Sequence, residues 1–184
     1  MTTHAYSLFD SAIGVCAVAW SVHGVSDMNL PEGDETRSRA RMMRRRPQAV
    51  ETAPDNDNAR AAIDGVRRLL SGERIDLTGV VVDLTDCEDF ERSVYAVART
   101  VPAGATITYG EIAQRIGAPR QAREVGQALG RNPVGIIVPC HRVLAAGGKP
   151  GGFTAHGGVA TKLKLLSIEG AVVGDAPTLF DIWR

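Results

Sequence analysis

Residues 132–144, NPVGIIVPCHRVL, set a thiol beside an imidazole and behind a proline. A cysteine reacts as its thiolate, and lowering its pKa takes a cation, an imidazole or backbone dipoles close by. Cys140 and His141 are of the right types. In extended chain their side chains point to opposite sides, so direct pairing needs a bend or a bridging water. Pro139 and the turn after Val138 supply a candidate bend. A histidine base also needs a group to orient it, usually a carboxylate. The only acid between Cys140 and residue 175 is Glu169, in KLKLLSIEG. Asn132 has a side chain able to hold the turn through bonds to the backbone. Spacing alone favours a second reading, a buried strand that ends at an inert cysteine, because free cysteines are commonly buried.

The rest of the 184 residues must position these groups. The first half reads as a small antiparallel sheet: strands near 6–10 and 13–20 turn at Ser11 and Gly14, and a third follows Gly24. DETRSRARMMRRRP reads as a polar helix stopped by Pro47, with the Arg41 to Arg46 cluster on a solvated face. ARAAIDGVRRLLSGE is amphipathic, with Ile63, Val66, Leu69 and Leu70 on one side. IDLTGVVVDL is extended and leads into the second half. There Asp86 is the expected N-cap of a helix whose apolar positions are Phe90, Val94, Tyr95, Val97 and Val101. Two short helices follow. TYGEIAQRIG opens with a Thr108/Glu111 capping box, and RQAREVGQALG comes after a break at 117–119. A helix pair joined by a short turn resembles a helix-turn-helix. Ala122, Gly126 and Ala128 on its second helix allow close approach to a groove or close helix packing.

Charge is divided along the chain. Residues 91–170 carry ten Lys or Arg against four Glu, whereas residues 1–90 carry ten basic and fifteen acidic groups. The basic half permits a polyanionic partner. Three cysteines, Cys16, Cys87 and Cys140, without a CxxC argue against a disulfide framework and a Cys-rich metal site. AIGVCAVAW is too short to span a bilayer and lacks a basic leader. The expectation is a soluble, cytoplasmic, monomeric protein.

VPCHRVL, with NPV upstream, resembles the active-site signature of the O6-alkylguanine-DNA alkyltransferases, the methylated-DNA–protein-cysteine S-methyltransferases. FERSVYAVARTVPAGATITYGEIA resembles that family's segment through its Tyr-bearing helix, AREVGQALGRNP its recognition helix and GGVATKLKLLSIEG its C-terminal helix. The resemblance implies that Cys140 accepts the alkyl group, that His141 is a base acting through water, and that Glu169 orients it. It implies that Asn132 braces the turn, that Tyr109 turns a DNA phosphate and gives a proton to guanine N3, and that Arg123 fills the stack the base has left. The carbonyls of Cys140 and Val143 would take the exocyclic amine. Phe153 stands where relatives have Tyr, and Thr154 matches a backbone donor of the substrate pocket, with Ala155 and His156 inserted beside it. Zinc ligands of some relatives fall near Ser21 and Ser26, so no metal is expected, and no organic cofactor.

The chemistry agrees with the resemblance, since an O6-alkyl group lies inside duplex DNA and its base must be extruded to meet a thiolate. The implied partner is double-stranded DNA containing O6-alkylguanine. The rival readings are a non-catalytic lesion-recognition module, a helix-turn-helix regulator and a cysteine hydrolase. The expected architecture is α/β: an N-terminal domain with an antiparallel sheet over 1–86, then a mostly helical, winged-helix-like DNA-binding and alkyl-acceptor domain over 87–184.

Overall fold

The computed structural model describes residues 3–173. The chain forms two compact units. One comprises residues up to Cys87 together with Pro133–Ile137; the other comprises Glu88–Asn132 and the chain from Val138 onward.

The first unit is built on a meander of β1 (Ala5–Ser11), β2 (Gly14–Ser21) and β3 (Gly24–Asn29), with the short β4 (Val50–Glu51) parallel to β1, in the order β3-β2-β1-β4. The three predicted strands and their turns are present. Two helices accompany them, α1 (Glu35–Arg45) and α2 (Asp57–Leu70). The central strand β2 is buried from Cys16 to Ser21. Alternation along it serves two faces: Ala17 and Ala19 cluster with Tyr6 and with Met42 of α1. Cys16, Val18 and Trp20 point the other way, toward the side on which Arg67 of α2 lies 5.4 Å from the Phe9 ring. Asp34 caps α1 by accepting from the Arg37 amide, and Ile63, Val66, Leu69 and Leu70 of α2 are buried as their spacing predicts.

Three of the four arginines from Arg41 to Arg46 pair with acids of their own unit. Arg45 holds the buried Asp27 at 2.8 Å, Arg46 holds Asp86 at 2.9 Å, and Arg41 lies 3.2 Å from Glu32. Arg44 and Arg45 stay exposed, as expected of a charge run, but the pairing with acids is not read from the run itself. Residues 133–137 are buried except for the half-buried Gly135, but are not the strand that one reading offered. Ile136 sits at φ 69°, and the Ile137 amide reaches the Gly135 carbonyl at 2.9 Å, a γ-turn of the strained, left-handed kind. The run 75–84 is pinned to β3 by single contacts, among them Val25 N–H to the Val81 carbonyl, rather than as a full strand.

The second unit is mostly helical: α3 (Asp89–Arg99), α4 (Tyr109–Arg115), α5 (Ala122–Gly130) and α6 (Gly158–Ile168), with one parallel pair, β5 (Ile107–Thr108) and β6 (Val143–Leu144). The first of these helices starts later than the sequence suggests. Glu88 is its N-cap, in a box with Glu91, whereas Asp86 is engaged by Arg46 and is not free to cap. The Thr108/Glu111 box does open α4. Gly117, at φ 76°, ends α4 in the left-handed conformation that lets the Ala118 amide return to the Ala113 carbonyl. The chain then reverses into α5. Ala128 belongs to the buried side of α5, where the Tyr95 hydroxyl donates to its carbonyl at 2.7 Å.

Candidate functional site

Cys140 stands on a turn that the backbone draws tight in two steps. Pro139, with φ −81° and ψ 66°, is the centre of an inverse γ-turn in which the Cys140 amide donates to the Val138 carbonyl at 2.8 Å. A single 3-10 turn, Cys140–Arg142, follows, closed by Arg142 N–H to the Pro139 carbonyl and Val143 N–H to the Cys140 carbonyl. The Asn132 side chain donates to the Val138 carbonyl at 2.8 Å from the far side. The bend that the sequence required is therefore present, and it separates the two reactive groups by environment. Cys140 is partly exposed in a cavity, and His141 is fully buried.

Behind the turn, His141 Nε2 lies 2.8 Å from Glu169 Oε1. Arg142, which sequence reasoning did not single out, grips the same carboxylate with Nε to Oε2 at 2.9 Å and Nη2 to Oε1 at 2.8 Å. A third donor of Arg142 reaches the Val101 carbonyl. Burial alone would raise the Glu169 pKa, but hydrogen bonds from His141 and Arg142 hold it down to about 2. The carboxylate is thus ionised and accepts only, so Nε2 carries the ring proton of neutral His141. Nδ1 has no hydrogen-bond partner among the described residues and presents the lone pair of a base. Burial depresses the His141 pKa more than the Glu169 charge restores it, so the ring is held neutral. The Cys140 thiol is pushed up by burial, against the opposing effects of the Asn132 side chain, the Lys162 charge and nearby backbone amides.

The cavity over Cys140 has a volume of about 470 Å³ and brings Tyr109, Arg123, Gly126, Phe153 and Thr154 to the same space. Tyr109 is the first residue of α4, fixed there by the Thr108 cap and by the pairing of Thr108 with Leu144, just beyond the cysteine turn. Gly151, at φ 66°, lets the following loop pass: a Cβ there would lie 3.1 Å from the Tyr109 hydroxyl oxygen. Burial, then the neighbouring Cys140, raises the Tyr109 pKa, which keeps it a protonated donor. Arg123 is exposed at the rim, with no ion-pair partner among the described residues. Phe153 is half-buried, and the Thr154 hydroxyl donates to the Gly130 carbonyl at 3.1 Å. The Val143 side chain is packed away from the cavity, and its carbonyl accepts from Lys162 Nζ at 2.6 Å. His156 is exposed, and its carbonyl receives the Thr161 hydroxyl.

In the first unit, His4 Nδ1 meets Ser26 Oγ at 3.0 Å and Ser21 Oγ donates to Asp83. No group of three or more His, Cys, Asp or Glu among the described residues could hold a metal ion. No helix among them is long and apolar enough to cross a membrane.

The sequence of residues 89–171 matches the model of the 6-O-methylguanine DNA methyltransferase DNA-binding domain. A methylated-DNA–protein-cysteine methyltransferase of Mycobacterium leprae is 39% identical over 173 residues, covering 94% of this chain and 96% of that protein. The counterpart from Mycolicibacterium paratuberculosis is 48% identical over 93 residues; that alignment spans 50% of this chain and about half, 55%, of the relative. The crystal structure of Mycobacterium tuberculosis OGT in complex with DNA superposes with a TM-score of 0.72 at 34% identity, over 96% of this chain and 99% of that one.

Proposed function

Since the chain belongs to the methylated-DNA–protein-cysteine methyltransferase family, we propose that it moves the alkyl group of O6-alkylguanine in duplex DNA onto Cys140, once per molecule. DNA repair by alkyl transfer to cysteine is the activity of this family, and DNA is the partner. The observation that carries the reading of the site is one cavity holding a cysteine, a tyrosine and an exposed arginine, backed by a buried His–Glu–Arg cluster.

The geometry supports the following steps. A base inside the duplex cannot reach Cys140, so it is extruded into the cavity. Arg123, unpaired at the rim, takes the place it leaves. His141 draws the thiol proton through a water to Nδ1, while Glu169 and Arg142 fix the ring. The thiolate attacks the alkyl carbon, the C–O6 bond breaks, and its electron pair goes to guanine. Tyr109 supplies a proton to N3, so guanine leaves neutral. Phe153 and Thr154 face the base, and the Cys140 and Val143 carbonyls receive its amine. The thioether is stable, which makes the reaction a single turnover. The unit made of Glu88–Asn132 and the chain from Val138 carries this chemistry, the sheet-bearing unit is a separate α/β domain that also takes in Pro133–Ile137, and the protein works as a cytoplasmic monomer.

A duplex bearing one O6-methylguanine, incubated in excess over the protein and followed by peptide mass analysis, tests the reading. One methyl per protein molecule, on the Cys140 peptide, is expected. A methyl on Cys16 or Cys87, or repeated turnover, overturns it.

A further inference from the structure

Lys162 is fully buried on α6, a position its sequence context, TKLKLL, does not betray. A buried ammonium ordinarily sits against a carboxylate, because desolvating a lone charge is costly and an apolar side chain of similar size packs better. Lys162 has no acid within ion-pair distance among the described residues. Its one hydrogen bond there is from Nζ to the Val143 carbonyl at 2.6 Å, immediately after the cysteine turn. Nζ also lies 5.7 Å from the centre of the Tyr109 ring. The one ionisable group that favours its charged form is Cys140, and burial brings its pKa down to about 8. Glu169, the nearby acid of the cysteine turn, is already engaged by Arg142 and His141. A neutral His141 leaves that cluster with no net charge to offer the sulfur. The buried cation left without a carboxylate, between the end of the cysteine turn and the Tyr109 ring, is therefore Lys162.

We infer that Lys162 is a positioning residue that supplies the standing counter-charge of the transfer site, tethered by the Val143 carbonyl and favouring negative charge first on the Cys140 sulfur and then on the Tyr109 oxygen. The inference rests on the alkyl-transfer reading above. The balance is closed. The thiol proton passes to His141, and the S–C bond forms as the C–O6 bond breaks. Guanine takes the Tyr109 proton, leaving a phenolate and an imidazolium between which the proton then returns. A fixed cation beside the sulfur and the phenol ring lowers the energy of both anionic stages.

Three full-length variants separate charge from tether: Lys162→Met removes both, Lys162→Gln keeps a donor for Val143, and Lys162→Arg keeps the charge. The readouts are the pH profile of iodoacetamide reaction at Cys140, followed by peptide mass, and the single-turnover rate with O6-benzylguanine. For Met and Gln the thiol inflection rises by about one unit, so the haloacetamide rate at pH 7 falls about tenfold, and the transfer rate falls with it. Arg restores most of both. Unchanged profiles in Met and Gln overturn the inference, as does a Gln variant that behaves as wild type beside a defective Met variant, since the lysine would then be only a tether. A wild-type measurement needs no variant: the Lys162 Nζ titration, followed by nitrogen NMR, should move down once Cys140 is carbamidomethylated, and no movement sinks the idea. Failure of the alkyl-transfer reading looks different. Wild type would then take haloacetamide at Cys140 and no benzyl group, with the lysine dependence of the thiol intact.

Discussion

The two units handle buried charge in opposite ways. In the first, the acid at the centre, Asp27, is surrounded by arginines and does nothing further: Arg45 and Arg46 lie 2.8 and 3.7 Å from it. In the second, Glu169 is held as firmly by Arg142, but it shares the same oxygen with His141, the residue after the proposed acceptor Cys140. Both arrangements remove a carboxylate from water and satisfy it. Among the described residues, only the second leaves a histidine lone pair without a partner, His141 Nδ1, in the residue next to Cys140, the proposed nucleophile. Arginine density alone therefore says little about where the work is done; what matters is which arginines are already spent.

The largest effect should come from the nucleophile. Cys140→Ser is expected to cut methyl transfer by at least about a thousandfold while duplex binding is retained. Cys16 cannot substitute, since burial pushes its thiol up to about 11. Transfer by mass analysis and binding by anisotropy check the two halves of this statement.

The contrast itself is tested by breaking both carboxylates. Asp27→Asn and Glu169→Gln should each lower stability by about 3 kcal/mol, as loss of one member of a buried pair does. Only Glu169→Gln should also slow transfer, by about a hundredfold. A transfer defect in Asp27→Asn would erase the distinction between the units. Denaturant melts and single-turnover rates decide it.

Acid should act on the second unit through the same cluster. Glu169 has its pKa lowered from 4.5 to about 2, so its stabilisation is complete above about pH 4.5 and is lost as pH falls toward 2. His141 is also lowered, from 6.5, and a histidine buried neutral gives stability that is present above that value and lost on acidification below it. Stability measured from pH 8 to pH 3 should fall in two stages, and Glu169→Gln should lack the lower one.

Smaller effects belong to the rim. Arg123→Ala should slow repair in duplex DNA about tenfold and leave transfer from free O6-benzylguanine unchanged, because a free base leaves no gap to fill. Neutralising Arg123 should reduce the salt dependence of duplex binding by about one phosphate equivalent. Neutralising Arg45 or Arg46, already paired with acids, should leave that slope as it was.

Local chemistry was the legible part of the sequence. The Thr108/Glu111 box, the three strands and the amphipathic spacing of α2 depend on neighbours within a few residues, and all are where the spacing puts them. Asp86 is not the cap its spacing suggests, because its partner, Arg46, lies forty residues away. Ile136 was unreadable for a similar reason: nothing about an isoleucine announces a left-handed backbone. At the site, Cys140, His141 and Glu169 stand out by type and adjacency. Arg142 and Lys162 do not, because a buried cation and an exposed one are spelled alike. Lys162 and Lys164 lie two positions apart on one helix, and only the packing of α6 buries the first and leaves the second in water.

The oxygen that His141 and Arg142 share fixes more than a charge. With Nε2–H aimed at a carboxylate that is itself clamped by two donors of Arg142, the imidazole cannot flip without abandoning its proton's acceptor. That proton is sealed from solvent with the fully buried ring. In a magnetic resonance spectrum it should give one sharp, far-downfield line that persists long after the protein is moved into heavy water, a spectroscopic signature read without touching the reaction at all.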